Sequence, residues 1–158
     1  QKTRRVALAD GGEGFDFLGC HLHKRMSGRL WQQKGLRRYY LHRWPSQRAM
    51  KRVRVRVREL TPRRCCHRDM RSVIAELNPV LRGWGQYFRS GNAATKFVGV
   101  DAYVVRRLKG LRLKRAGRSL RAGKAQSWDR ECFEKLGLYR LRGTIRYPGQ
   151  AFWQQETA

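Results

Sequence analysis

Between Phe15 and Leu22 the apolar residues fall at near-alternate positions, Phe15, Phe17 and then, after a shift at Gly19, Cys20 and Leu22. This pattern predicts a strand with a bulge or close backbone approach at the glycine. Gly11, Gly12 and Gly14 mark a turn ahead of it. Beyond the polar tip Ser27-Gly28, the residues Leu30, Trp31, Tyr39, Tyr40 and Leu41 continue the strand signal, so residues 5–43 read as a small antiparallel meander that Pro45 ends.

From Ser46 to Leu60 two periods compete. Arg52 to Arg58 alternates Arg and Val without a break, a strand by propensity, whereas Met50, Val53, Val57 and Leu60 share one helical face. Period alone leaves both open. Ser46, able to cap a first turn, and Thr61-Pro62, able to stop a last one, favour a helix flanked by arginines. Asp69 is placed to cap a short helix carrying Val73, Ile74 and Leu77, and Asn78-Pro79 reads as a fresh start, a cap followed by a first-turn proline. Val80, Leu81, Trp84, Tyr87 and Phe88 then form an apolar stripe in which Gly83 and Gly85 let another backbone approach. Gly91 closes this helix, Asn92 opens the next, and Phe97, Val100, Val104, Leu108 and Leu111 follow at helical spacing. The core expected of these helices is Leu77, Pro79, Leu81, Trp84, Tyr87, Phe88, Phe97, Val104 and Leu108.

After Arg115 the apolar density drops through a basic linker. Trp128, Phe133, Leu136, Leu138 and Tyr139 predict a short helix and docked turn, Gly143 to Tyr147 a short strand or extended stretch ending at Pro148, and residues 154–158 a frayed end. The expected fold class is α+β, mainly α: a short N-terminal antiparallel β meander, a three- to four-helix bundle and a basic C-terminal tail, divided as 1–44, 45–115 and 116–158.

Charge shifts the question from fold to partner. Lys and Arg number 37 against 11 Asp and Glu, a formal net charge of +26 over 158 residues. A surface so one-signed repels itself unless a polyanion neutralises it, and each cation seated on a phosphate releases condensed counterions. One basic band comprises Lys34, Arg37, Arg38, Arg43, Arg48, Lys51, Arg52, Arg54, Arg56, Arg58, Arg63, Arg64 and Arg68. A second runs through Arg106, Arg107, Lys109, Arg112, Lys114 and Arg115 to Arg118, Arg121 and Lys124. Tyr39, Tyr40 and Trp44, set among arginines, are the candidates for contact with RNA, whereas aromatics on helical stripes read as core. No stretch approaches the roughly 18 apolar residues that span a bilayer, and no signal peptide is visible. The expectation is a soluble cytoplasmic chain with no membrane partner; Gln1 in place of Met, before a basic strand-like run, makes it one that begins mid-domain.

Catalytic chemistry is not legible. Two-metal enzymes need clustered carboxylates, but Asp10, Glu13 and Asp16 sit in a Gly-rich turn, and Glu59, Asp69, Glu76 and Asp101 stand isolated among arginines, where ion pairing explains them. His21 and His23 share a strand face without an apparent third ligand. Cys20, Cys65, Cys66 and Cys132 lack the paired spacing of zinc sites, even with His67 adjacent, and imply no disulfide framework. No cofactor and no metal is expected, and the chain alone is not expected to be an enzyme.

Several segments resemble group II intron-encoded reverse transcriptases. Phe15-Asp16-Phe17-Leu18-Gly19 is similar to the Phe-Leu-Gly motif that serves there as primer grip, which assigns Phe17, Leu18 and Gly19 that role, and Lys2-Thr3 is similar to the Lys-Thr pair just upstream. Trp44-Pro45-Ser46 resembles the opening of the thumb, and Leu77 to Phe88, Leu-Asn-Pro-Val-Leu-Arg-Gly-Trp-Gly-Gln-Tyr-Phe, resembles the signature of the maturase domain, domain X. Gly137 to Leu141 and Gly143 to Pro148 are similar to the C-terminal end of bacterial members. The resemblance implies that residues 46–115 are a helical thumb, which turns the Arg-Val run into helix. It also implies a module that binds group II intron RNA and stabilises it for splicing and mobility. The fingers and the palm's Asp pair are missing, so the alternative is a reverse-transcriptase thumb holding an RNA/DNA primer-template with palm and fingers on another chain.

Overall fold

A computed structural model of the chain describes residues 8, 10, 12–117, 123 and 127–146, and among them the fold is α+β and mainly helical. Lys2-Thr3, Gly11, Arg118, Arg121, Lys124, Tyr147-Pro148 and the frayed end lie outside the described residues.

The N-terminal strands are β1 (Phe15–Phe17), β2 (Cys20–Met26) and β3 (Tyr39–Pro45), an antiparallel sheet in the order β1-β2-β3. Gly19 is not a bulge. With Leu18 it makes a two-residue turn that pairs Phe17 with Cys20, and both turn residues lie at positive φ, +46° for Leu18 and +76° for Gly19. That is the turn whose twist suits a hairpin, at the cost of about 1 to 2 kcal/mol for a leucine in the left-handed region.

The second departure is at Leu30-Trp31. These residues are not strand but lie in helix α1 (Gly28–Lys34), which interrupts the meander between β2 and β3. Local caps outweigh their side-chain propensity: the Ser27 hydroxyl accepts from the Leu30 amide, and Gly35 at φ +62° sends its amide to the Trp31 carbonyl.

Ser46 caps α2 (Gln47–Leu60) by accepting from the Ala49 amide at 3.2 Å, so the alternating Arg-Val run is helix. Val53 and Val57 face inward with Ala49 and Met50, and Val55 is left on the outer side. A 3₁₀ turn, Arg63–His67, leads to α3 (Met70–Phe88), capped by Asp69. Asn78-Pro79 does not restart a helix. Pro79 sits inside α3 on its solvent face, exposed, where water can serve the carbonyl its missing N–H leaves free. For the same reason Pro79 is not core.

Helix α4 (Ala94–Ala116) begins without a side-chain cap. Asn92 is used elsewhere: its amide donates to the Arg43 carbonyl at 2.7 Å and its Oδ1 accepts from the Arg43 amide at 3.4 Å, stitching the α3–α4 link to β3. Gly91 makes this approach possible, because a Cβ there would lie 2.4 Å from the Arg43 carbonyl oxygen. Gly91→Ala is therefore expected to destabilise the chain by about 1 to 3 kcal/mol, read as a lowered midpoint in thermal unfolding.

The core runs between α2, α3 and α4. Val53, Val57, Leu77, Leu81, Phe97, Val104 and Leu108 are buried, and Phe88 nearly so. Trp84 is half-buried, packed on Phe88 and Phe97 with ring centroids 4.9 and 5.4 Å away. The C-terminal segment joins this core: α5 (Arg130–Lys135) inserts Phe133, and Leu138 and Leu141 follow. Residues 143–146 make no strand. Neither glycine of the stripe receives another backbone: Gly85 is packed against the Leu141 side chain, and Gly83 faces open space.

Candidate nucleic-acid interface

A helix with inward apolar residues at three- and four-residue spacing must turn its remaining positions outward. On α2 these carry Arg48, Lys51, Arg52, Arg54 and Arg58, all exposed. Arg56 is exposed too but is paired with Glu59 at 3.1 Å. The face is extended by α4 through Tyr103, a half-buried ring flanked by two guanidiniums, Arg54 at 6.0 Å and Arg106 at 5.4 Å from its centroid. A shallow depression of about 450 Å³ opens here between Lys51, Arg54, Val55, Arg58 and Tyr103.

Next to it a groove of about 490 Å³ lies between the end of α2 and α4, lined by Arg63, Arg106, Arg107 and Lys114 around Thr61, Gly110 and Leu111. Its lining holds no carboxylate. The result is a continuous cationic ridge from Lys51 to Lys114, built by the crossing of α2 and α4. Tyr103 was not singled out in the sequence, although Tyr103-x-x-Arg106 has the spacing that stacks a guanidinium on a helical neighbour.

Other cations of the two bands have structural work. Arg107 donates from Nε to Thr61 Oγ1 at 3.0 Å and from Nη2 to the Thr61 carbonyl, and Thr61 Oγ1 donates to the Val57 carbonyl at 2.7 Å. Arg107 thus ties the C-terminus of α2 to α4, and only part of its guanidinium fronts the groove. Arg112 turns to the C-terminal segment, with its guanidinium 5.2 Å from the Trp128 centroid and 3.3 Å from Cys132 Sγ. Arg68 is hydrogen-bonded to Glu76, which holds that exposed carboxyl below its ordinary range. Arg43 anchors β3 to Ser90. Lys34, Arg37, Arg38 and Tyr40 are exposed on the α1–β3 side of the sheet, Arg37 lying 5.2 Å from the Trp31 centroid. Arg64 is exposed on the 3₁₀ turn, and Lys109 is half-buried on α4.

At the opposite end of α2 the Phe17-Leu18-Gly19 turn projects apolar side chains into solvent, Phe17 58% and Leu18 72% exposed. It is held from two sides: the Ser46 amide donates to the Gly19 carbonyl at 2.9 Å, and the Tyr87 hydroxyl donates to the Leu18 carbonyl at 2.8 Å. Tyr87 is thus not core. It lies well off the buried stripe of α3, is 58% exposed, and serves the turn. Beneath the turn is a cavity of about 720 Å³ whose walls include Asp16, Arg48, Arg52, Trp84 and Tyr87.

The acidic residues divide. Asp69 caps, Glu59 and Glu76 pair with arginines, but Asp101 is buried, accepting from the Leu141 and Arg142 amides at 3.1 and 3.0 Å with Arg130 3.7 Å away. The expected ion pair is present, with Arg130, but it is buried and Asp101 is also the socket for the C-terminal segment. Asn78 adds to this docking by donating to the Gly137 carbonyl and accepting from the Tyr139 amide, both at 2.8 Å. Among the described residues no group of three or more His, Cys, Asp or Glu is placed to hold a metal ion, and no helix is long and apolar enough to cross a membrane.

Residues 50–128 match the family model described as "Group II intron, maturase-specific domain". The matched stretch contains most of α2, all of α3 and α4, and hence the whole cationic ridge; it corresponds to a maturase-specific domain and not to a catalytic palm. No curated protein matches the chain.

Proposed function

The chain belongs to the group II intron maturase family, and from that premise we propose that it is an RNA-binding module that clamps folded intron RNA and stabilises it for splicing and mobility, leaving the chemistry to the ribozyme. The observation that carries this reading is the ridge of Lys51, Arg54, Arg58, Arg63, Arg106 and Lys114, whose two depressions are lined by no carboxylate among the described residues and which is contained within the maturase-specific segment. Rigid helices present these cations at fixed separations, which favours a preorganised polyanion over a flexible one. In this reading residues 45–115 are the thumb and maturase unit, residues 1–44 the end of a palm, and residues 116–158 a basic extension. The direct test is intron self-splicing against magnesium concentration. Added chain is expected to lower the magnesium needed, as a cationic clamp that stabilises the active RNA fold must; an unchanged requirement would remove the maturase role.

A second reading draws on a separate observation. The exposed Phe17-Leu18 turn, fixed by Ser46 and Tyr87 above a cavity bordered by Arg48 and Arg52, is a rigid apolar finger beside cations. It suits a thumb fragment that holds an RNA/DNA primer-template with palm and fingers supplied by another chain. Protection of a primer terminus by the full chain, lost on Leu18→Asp, would favour this reading.

A further inference from the structure

The strand register places Asp16, His21 and Trp44 in one row across the sheet, His23 with His42 in another, and Arg25 with Tyr40 in a third. Residues two apart on a strand share a face, so these seven side chains stand together on one side. The other side carries Cys20 and Pro45, which are buried. The rings are in mutual contact: His21 lies 5.0 Å and His23 5.7 Å from Trp44 between centroids, and the two imidazoles stack at 6.1 Å with 25° between their planes. Asp16 accepts from His21 Nδ1 at 2.7 Å, which fixes that ring's orientation. The three imidazoles and the indole are each partly exposed, and Tyr40 is 45% exposed.

From this arrangement we infer that the face is a stacking platform for unpaired bases of RNA, a contact separate from the phosphate-binding ridge. The inference rests on the RNA-binding reading above and adds the class of ligand that this second surface takes. The composition of the face decides against other occupants. An apolar protein contact would present aliphatic side chains, and none stands among these seven. A metal would need three convergent ligands, and the described residues offer no such group. Flat π faces beside a cation are what a nucleobase next to a phosphate requires, and they accept any base. Arg25 supplies the cation at one end of the rows. Burial, together with Arg25 and His23, pushes the His42 imidazole below its ordinary range, so at neutral pH it offers an uncharged ring.

The full chain is tested against two probes, a single-stranded oligouridylate and a blunt RNA duplex with no unpaired base. Trp44→Leu is expected to weaken oligouridylate binding by about 5- to 100-fold, with duplex binding unchanged because the ridge is intact. Tyr40→Leu, at an exposed position whose loss leaves the packing alone, is expected to show the same selectivity to a smaller degree. Unaltered oligouridylate affinity in both variants overturns the platform, and so does an equal loss on both RNAs by Tyr40→Leu. If the unmodified chain binds neither probe, the RNA-binding reading itself falls; duplex binding with indifferent variants overturns the platform alone.

Discussion

Replacing Arg54, Arg63, Arg106 and Lys114 together by glutamate is expected to weaken binding to intron RNA on the order of 100- to 1,000-fold and to reduce the slope of log affinity against log salt by about 4. The slope follows from the count of phosphate contacts removed, each releasing about one counterion when made. None of the four is in an ion pair among the described residues, and Arg63, Arg106 and Lys114 line one groove. Their reversal removes the Arg54 and Arg106 contacts with Tyr103 but relieves self-repulsion in a chain of net charge +26, so the melting temperature should change little. Arg112→Glu gives the contrasting result, lower stability first, because that guanidinium packs on Trp128 and Cys132. Titration at several salt concentrations, with thermal melts on the same samples, separates the two.

Asp101→Ala is expected to cost about 3 kcal/mol or more and to release the C-terminal segment from the helices. The carboxylate is 5% exposed and satisfies two backbone amides as well as Arg130, so truncation leaves the buried Leu141 amide, the part-buried Arg142 amide and a cation without their acceptor. Asp101→Asn keeps one oxygen acceptor and should fall between the two. Denaturant unfolding gives the energy, and limited trypsin digestion gives the location: cleavage at Arg130 and Arg140 should accelerate in the alanine variant before any other site. Uniform cleavage throughout the chain would instead mean that the segment unfolds with the helices as one unit.

How much of this was legible in the sequence depends on the range over which each feature is determined. Ser46, Asp69 and the inward spacing of Val53 and Val57 are local, and they specify α2 and α3 despite the strand-like alternation of Arg52 to Arg58. Local signals also misled where two of them competed. Leu30 and Trp31 favour strand, but Ser27 and Gly35 stand one short helix apart and cap it at both ends. Pro79 looked like a first-turn proline because sequence does not say that its missing hydrogen bond falls on the solvent side. Tyr87 has the aromatic identity of a core residue, but its angular offset from Leu77, Leu81 and Phe88 puts it on the exposed side of α3.

The site was half legible. Basic residues are countable, yet which of them share a surface depends on the crossing of α2 and α4, where Tyr103 receives Arg54 from one helix and Arg106 from its own. Arg107 and Arg112 look identical to their neighbours in the sequence and are distinguished only by long-range partners, Thr61 and Trp128. Asn78 and Asp101 likewise act on residues about 40 to 60 positions away, a relation no periodicity encodes.

The measurement that tests the central claim most directly is the affinity of the purified chain for a folded group II intron RNA and for a scrambled RNA of equal length, across a salt series. The proposed clamp recognises a folded arrangement of phosphates, so the expected result is tighter binding to the intron that persists at high salt. Equal binding to both RNAs, collapsing together as salt rises, would contradict it and reduce the ridge to a nonspecific basic surface.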